Sequence, residues 1–188
     1  MRIISGKFKG RTIKYLNLKH TRPLKDSVKE NIFNILAHSK EINLDVSRSR
    51  VLDLYSGIGS FGLECLSRNA SHVKFIEQNT ETFKILKDNL ERLPINNHEI
   101  INDKVENLMN WIQNENDKYN IIFLDPPYAD KQFINILKLI KDNKIFKKKH
   151  LVIIHREKKS IENFSKILKT IKIKYYGRSK IIIGSIFE

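Results

Sequence analysis

Cysteine is nearly absent: Cys65 is the only one in 188 residues. One thiol excludes an intramolecular disulfide and fits a reducing compartment. Its neighbours Leu63 and Leu66 mark it as buried filler rather than a nucleophile. No run of 18 apolar residues occurs, so no membrane-spanning helix is expected. The opening Met1-Arg2-Ile3-Ile4-Ser5-Gly6-Lys7 lacks the apolar core of an export signal, so a cytoplasmic protein is expected. His38, His72 and His155 are not spaced as metal ligands with any cysteine partner, and no metal site is expected. No internal repeat is present. Hydrophobic residues are 40% and charged residues 30%, a globular composition rather than a disordered one.

Acidic residues are also short, 21 against 35 Lys and Arg, for a net charge of +14. Their distribution is uneven. Residues 1–30 carry nine basic and two acidic side chains, and residues 141–180 carry fourteen and three. Between them, residues 31–140 carry twelve and fifteen. Two basic ends around a slightly acidic middle suggest a polyanionic partner. Lysine outnumbers arginine 26 to 9, as AT-rich codon usage would give, which discounts part of the excess. Eight basic residues before Asp26, with no acid among them, are harder to attribute to codon bias.

Residues 2–15 read as a hairpin with Gly6 and Gly10 as turn residues. Thr21-Arg22-Pro23 is a loop, and Asp26 or Ser27 can cap a helix with Val28, Ile32, Ile35 and Leu36 on its apolar face. Residues 39–49 read as a linker. Strands are then predicted at 50–54, 72–77, 98–102, 119–124 and 149–155, and helices at 60–68, 79–91, 104–114 and 131–143. This alternation implies right-handed crossovers and a mostly parallel sheet covered on both faces. A short helix near 160–168 and a closing hairpin, 170–176 with 181–183, would end the sheet antiparallel.

Two strand ends carry chemistry. The run Tyr119-Asn120-Ile121-Ile122-Phe123-Leu124 stops at Asp125-Pro126-Pro127-Tyr128. The prolines cannot continue the pairing, and they hold a rigid carboxylate, a freed carbonyl and an aromatic ring at the strand's carboxyl end. In open α/β sheets that edge binds ligands. The other strand, Val51-Leu52-Asp53-Leu54, leads into Tyr55-Ser56-Gly57-Ile58-Gly59-Ser60-Phe61-Gly62, a literal G-x-G-x-x-G. That pattern alone fits a dinucleotide as readily as other cofactors. Asp53 discriminates, because a buried carboxylate would repel a pyrophosphate but favour an ammonium and a sulfonium. S-adenosyl-L-methionine (AdoMet) has both. Glu77 is placed to accept the ribose hydroxyls, or else is a solvated strand end. Asn102 and Asp103 are placed to face adenine, although Asp103 also suits an N-cap.

Together these residues resemble the class I AdoMet-dependent methyltransferases, and Asp125-Pro126-Pro127-Tyr128 resembles the (Asn/Asp)-Pro-Pro-(Tyr/Phe) motif of their amino-nitrogen branch. The chain is similar, over nearly its whole length, to the RsmD family of bacterial small-subunit rRNA guanine-N2 methyltransferases. The narrowing residues are Arg2-Ile3-Ile4-Ser5-Gly6-Lys7-Phe8-Lys9-Gly10-Arg11, Thr21-Arg22-Pro23 with Asp26, Val28 and Glu30, and Phe33-Asn34-Ile35-Leu36. Lys25 departs from the small hydroxyl residue expected there, and the tail from Lys180 matches poorly.

The resemblance implies an α/β, Rossmann-like class I methyltransferase fold: a mostly parallel seven-stranded sheet with helices on both faces, plus a small N-terminal β-hairpin. It divides the chain into a basic RNA-binding hairpin and loop, 1–23, and a catalytic domain, 24–188. It implies AdoMet as cofactor, held by Asp53, Tyr55, Gly57, Gly59, Glu77, Asn102 and Asp103. The implied substrate is 16S rRNA in the assembling small subunit (guanine 966 in the family), with no obligate protein partner. Asp125, Pro126, Pro127 and Tyr128 would be catalytic, with the Asp125 side chain and Pro126 carbonyl holding the amine and Tyr128 stacking on the base. Arg2, Lys7, Lys9, Arg11 and Arg22 would contact phosphates beside the active-site edge. His155 could serve as a base. The alternatives are an adenine-N6 methyltransferase acting on DNA or RNA, a catalytically dead RNA-binding chaperone, and a nicotinamide oxidoreductase.

Overall fold

In the computed structural model, residues 1–15, 24–42, 44–112 and 117–187 are described. Thr21-Arg22-Pro23 therefore lies outside the described residues, as does Arg22's expected phosphate contact. The element order is α1 (Asp26–His38), β1 (Arg50–Leu54), α2 (Ser60–Ser67), β2 (His72–Ile76), α3 (Thr80–Glu91), β3 (His98–Ile101), a 3-10 turn (Val105–Asn110), β4 (Tyr119–Leu124), α4 (Phe133–Asp142), β5 (Phe146–Glu157), β6 (Leu168–Tyr176) and β7 (Ser179–Ile186). The seven strands form one sheet in the order β3-β2-β1-β4-β5-β7-β6. β3, β2, β1, β4 and β5 run parallel, and β7 pairs antiparallel with both β5 and β6. This is the expected class I methyltransferase architecture.

The strands are apolar on successive residues because both faces are covered. On one face Val51, Ile121, Phe123, Ile153 and Ile181 meet α1, α2 and α3. The rings of Phe33, Phe61 and Phe123 stack there, with centroids 5.3 and 4.0 Å apart. On the other face Leu52, Ile122, Leu124, Val152 and Ile154 meet Phe133, Ile136, Leu137 and Ile140 of α4. No helix among the described residues is long and apolar enough to cross a membrane.

The N-terminal segment closes on itself through one antiparallel bridge, Arg2 with Thr12. Ile3, Phe8 and Ile13 are buried in the same core as α1 and α2. Polar contacts staple it there. Glu64 accepts from Ile4 N at 2.7 Å and Ser5 N at 3.0 Å. Ser67 Oγ donates to Ser5 O and accepts from Phe8 N. The buried Lys29 donates to Arg2 O at 2.7 Å and to Ser60 Oγ, with Asp26 and Glu64 completing its charge balance.

Several local expectations are corrected. Of the expected helix 104–114, residues 113–114 lie outside the described residues and Val105–Asn110 form only a 3-10 turn, because the Asp103 side chain takes Lys104 N and Asn107 Nδ2 and Asn107 leaves helical geometry. No helix forms at 160–168. Asn163 Oδ1 accepts from Ser165 N and Oγ, and Glu162 is drawn to Arg156. Neither Asp26 nor Ser27 caps α1: the N-cap position is Lys25, with no side-chain cap, and Asp26 faces Arg2 N and Lys29. The poorly matching tail is β7, inserted between β5 and β6.

Candidate active site

β1, β2 and β4 end side by side, and each delivers a carboxylate to the same edge. Asp53 is 1% exposed. Its Oδ2 accepts from Gly62 N at 2.9 Å, and its Oδ1 has no hydrogen-bond partner among the described residues. Burial pushes its carboxyl well above the usual range; the Gly62 N–H opposes this, and the nearby Asp125 and Glu77 add to it. Glu77, also buried, accepts from Gly57 N at 2.8 Å and Asn79 N at 2.7 Å. Burial raises its carboxyl too, against those N–H donors.

The glycine loop is shaped to permit this. Ser56 N and Oγ both donate to Ile76 O, tying the loop across the end of β2. Tyr55 holds φ of 58°, a left-handed conformation uncommon outside glycine and concentrated at functional turns. Its hydroxyl is kept protonated by burial and by the facing Asp130 carboxylate. Gly59, with φ of 85°, begins α2 in the left-handed region. Gly62 admits no side chain, since a Cβ would strike the Phe75 ring and crowd Asp53 Oδ2. Asn102 donates to Glu77 O and Gln78 O, which fixes the turn after β2. Asp103 is not the N-cap of the 3-10 turn, which is Lys104 without a side-chain cap; its Oδ1 accepts from Lys104 N and Asn107 Nδ2.

Asp125 lies beyond the last β4 pair, and its N–H reaches Leu54 O at 3.4 Å. Its Oδ1 is 2.8 Å from His155 Nδ1. The Tyr128 ring meets the His155 ring edge-on, at 6.2 Å between centroids. The backbone of the motif is held from the other face of the sheet by Arg156. Nη1 donates to Pro127 O at 3.0 Å and more weakly to Pro126 O at 3.4 Å. Nη2 donates to Tyr128 O at 3.0 Å and Asp130 O at 3.2 Å. Nε donates to Glu162, Cζ of the guanidinium lies 4.5 Å from the Phe133 ring centroid, and Lys180 pairs with Glu162 at 2.9 Å. Although burial opposes it, hydrogen bonds from Ser160, Arg156 and Lys180 hold the Glu162 carboxyl below its usual range.

Sequence reasoning missed Arg156, Glu162 and Lys180. The one signal available was Arg156 opposite Lys180 in an otherwise apolar β5/β7 register, and Glu162, in the loop before β6, carried none. It also placed the basic hairpin beside the site, and the structure corrects that for most of it. Lys7 N bonds Ser67 O at the last residue of α2, and Arg11 Nη1 bonds Arg92 O just past α3. Helices that start at the carboxyl edge end at the opposite edge, so Lys7, Lys9 and Arg11 lie away from Asp125. Arg2, beside the first turn of α1, lies nearer.

Comparison with known proteins settles the grouping. The family described as Conserved hypothetical protein 95 matches residues 1–185. The chain belongs to that family. It is similar to the ribosomal RNA small subunit methyltransferase D of Buchnera aphidicola subsp. Acyrthosiphon pisum, 35% identical over 84% of this chain and 78% of that one. The protein of that name from Escherichia coli K12 is 32% identical, over 76% of this chain and 68% of its own length. Among solved structures, HI0767 of Haemophilus influenzae is 28% identical with a TM-score of 0.78, covering 100% of this chain and 98% of that one. These relatives place this chain among methyltransferases.

Proposed function

We propose that this protein transfers a methyl group from AdoMet to the exocyclic N2 of a guanine in 16S rRNA of the assembling small subunit. The carrying observation is the buried, half-unpartnered carboxylate of Asp53, with Glu77 and Asp125 near it. Such a cluster suits a cationic ligand and rejects a phosphate-bearing one. Asp53 Oδ1 would take the ammonium group, and Glu77 the ribose hydroxyls. Tyr55, Gly57 and Gly59 would line the loop, and Asn102 and Asp103 the adenine side. When bound, AdoMet supplies an activated methyl on a sulfonium.

The chain's own task is then to present the nucleophile. The amine of guanine is weak because its lone pair is delocalised into the ring. Asp125 and the Pro126 carbonyl would accept its two hydrogens and align the nitrogen, and such prearranged acceptors carry most of the catalysis. Pro126 O already accepts from Arg156 Nη1 at 3.4 Å, and its second lone pair would take the amine hydrogen. Pro127 keeps the turn rigid. Tyr128 would stack on a base drawn from an RNA loop, where unstacking is cheap. The names of its relatives support the rRNA substrate. A cytoplasmic location follows from that substrate.

Mass spectrometry of rRNA nucleosides after incubation with deuterated AdoMet tests the reading. Labelled N2-methylguanosine is expected. Labelled N6-methyladenosine would instead establish the adenine alternative, and no label despite AdoMet binding would point to an RNA-binding role.

A further inference from the structure

Asp125 does not stand alone. β4 and β5 run parallel with Leu124 beside Ile154, so the next residues on the two strands, Asp125 and His155, fall side by side on the same face. His155 is 4% exposed. Its Nδ1 lies 2.8 Å from Asp125 Oδ1, and its Nε2 is buried with no hydrogen-bond partner among the described residues. These two facts select a protonation state. A proton on Nε2 alone would leave a buried donor unmatched and turn the Nδ1 lone pair against a carboxylate lone pair. A proton on both nitrogens would satisfy Asp125 but again strand the Nε2–H. The singly protonated ring with its hydrogen on Nδ1 avoids both faults.

We infer that His155 is a positioning residue for methyl transfer: its Nδ1–H pins Oδ1 of Asp125 and leaves Oδ2 to receive the substrate amine. The inference rests on the amino-nitrogen reading of the site. In the transfer, the N2 lone pair forms the N–C bond. AdoMet, when bound, would supply the methyl and keep the S–C electron pair on its sulfur. One N–H proton passes to Asp125 Oδ2 and then to solvent. An unpinned carboxylate rotates and competes for the proton geometry with both oxygens, which misaligns the nitrogen; small misplacements of this kind are costly in rate. Tyr128, packed edge-on against the same imidazole, ties the base-stacking ring to the same support.

Two side-chain replacements separate the roles. In His155→Asn the amide nitrogen sits near the place of Nδ1 and does not titrate. In His155→Leu the volume is kept and the donor is lost. Full-length protein, tritiated AdoMet and small-subunit rRNA give kcat and KM. His155→Leu should lower kcat tenfold or more with KM for AdoMet within twofold. His155→Asn should recover most of kcat. Wild-type kcat in His155→Leu, or an Asn variant as slow as the Leu variant while folded, would overturn the inference. Nitrogen-15 NMR of the imidazole in substrate-free protein reads the same point without turnover. A neutral ring protonated on Nδ1, altered in Asp125→Asn, supports it, and a ring protonated on Nε2 overturns it. If the wild type methylates no guanine, the functional reading fails, while the NMR result still decides the pairing.

Discussion

Arg156 and Glu162 meet at 2.8 Å with both side chains almost wholly buried, and through this pair the β5–β6 loop is locked to the Asp125-Pro126-Pro127-Tyr128 turn. The guanidinium is saturated: its remaining N–H groups serve the carbonyls of residues 126, 127, 128 and 130. Arginine's planar fork allows this, and lysine has no equivalent. Arg156→Met should destabilise the fold by about 3–5 kcal/mol, as breaking one side of a buried pair does. Equilibrium denaturation in urea measures it. Arg156→Lys should recover little of that loss.

Asp53 makes opposite demands on stability and on binding. Its folded-state carboxyl is raised well above the ordinary value by burial. As far as this group is concerned, the ligand-free fold is most stable below the unfolded carboxylate value of about 3.9. That contribution is lost as pH rises through the raised folded value. Asp53→Asn keeps an acceptor for Gly62 N and removes the cost. Its melting temperature at neutral pH should rise, by roughly 2–4 °C for each kcal/mol recovered in a chain of this size. AdoMet affinity should fall about tenfold or more, since a charged group loses its partner.

Wild-type AdoMet binding should release protons, because the ammonium favours ionised Asp53. Affinity should therefore rise with pH until Asp53 is ionised in the free protein. Calorimetry in two buffers of different ionisation enthalpy would show the release. Its persistence in Asp53→Asn would remove the assignment.

Asp125→Ala should leave AdoMet binding intact and cut turnover about a hundredfold or more, by analogy with removing one prearranged hydrogen-bonding group. Single-turnover methylation of rRNA reads this directly. Near-wild-type transfer would rule out the proposed role.

The N-terminal segment invites two separate tests. Changing Lys7, Lys9 and Arg11 to Gln should leave binding of a short RNA hairpin unchanged, because they lie at the far end of α2 and α3. Longer rRNA that wraps to that end should lose affinity, with the salt slope flattening by about 0.7 for each phosphate contact removed. Deleting residues 1–15 should do something different. It strips Glu64 of two backbone donors and Lys29 of its carbonyl acceptor, leaving buried charge exposed to mismatch. A drop in thermal stability, and with it weaker AdoMet binding through α2, is the expected result.

What the sequence determined by itself was whatever depends on neighbours along the chain. The apolar runs of β1 and β4, the prolines that stop β4 at Asp125, and the glycines that open α2 are local, and each was legible from residue type and spacing. Local signals failed where side chains found distant partners. Asp103 and Asn163 drew backbone groups away from helix, and Glu162 was taken by Arg156 and Lys180.

Only the tertiary structure decided the rest. His155 is 30 residues from Asp125 in sequence, and the parallel register of β4 and β5 places them together. The basic hairpin reads as an RNA arm in one dimension. In three, Ile3, Phe8 and Ile13 are core, and Glu64 and Ser67 hold its backbone. The physical reason is the same in each case. Charge and hydrogen-bonding capacity are visible in a sequence, but which partner satisfies them is set by the packing of strands and helices that are remote along the chain.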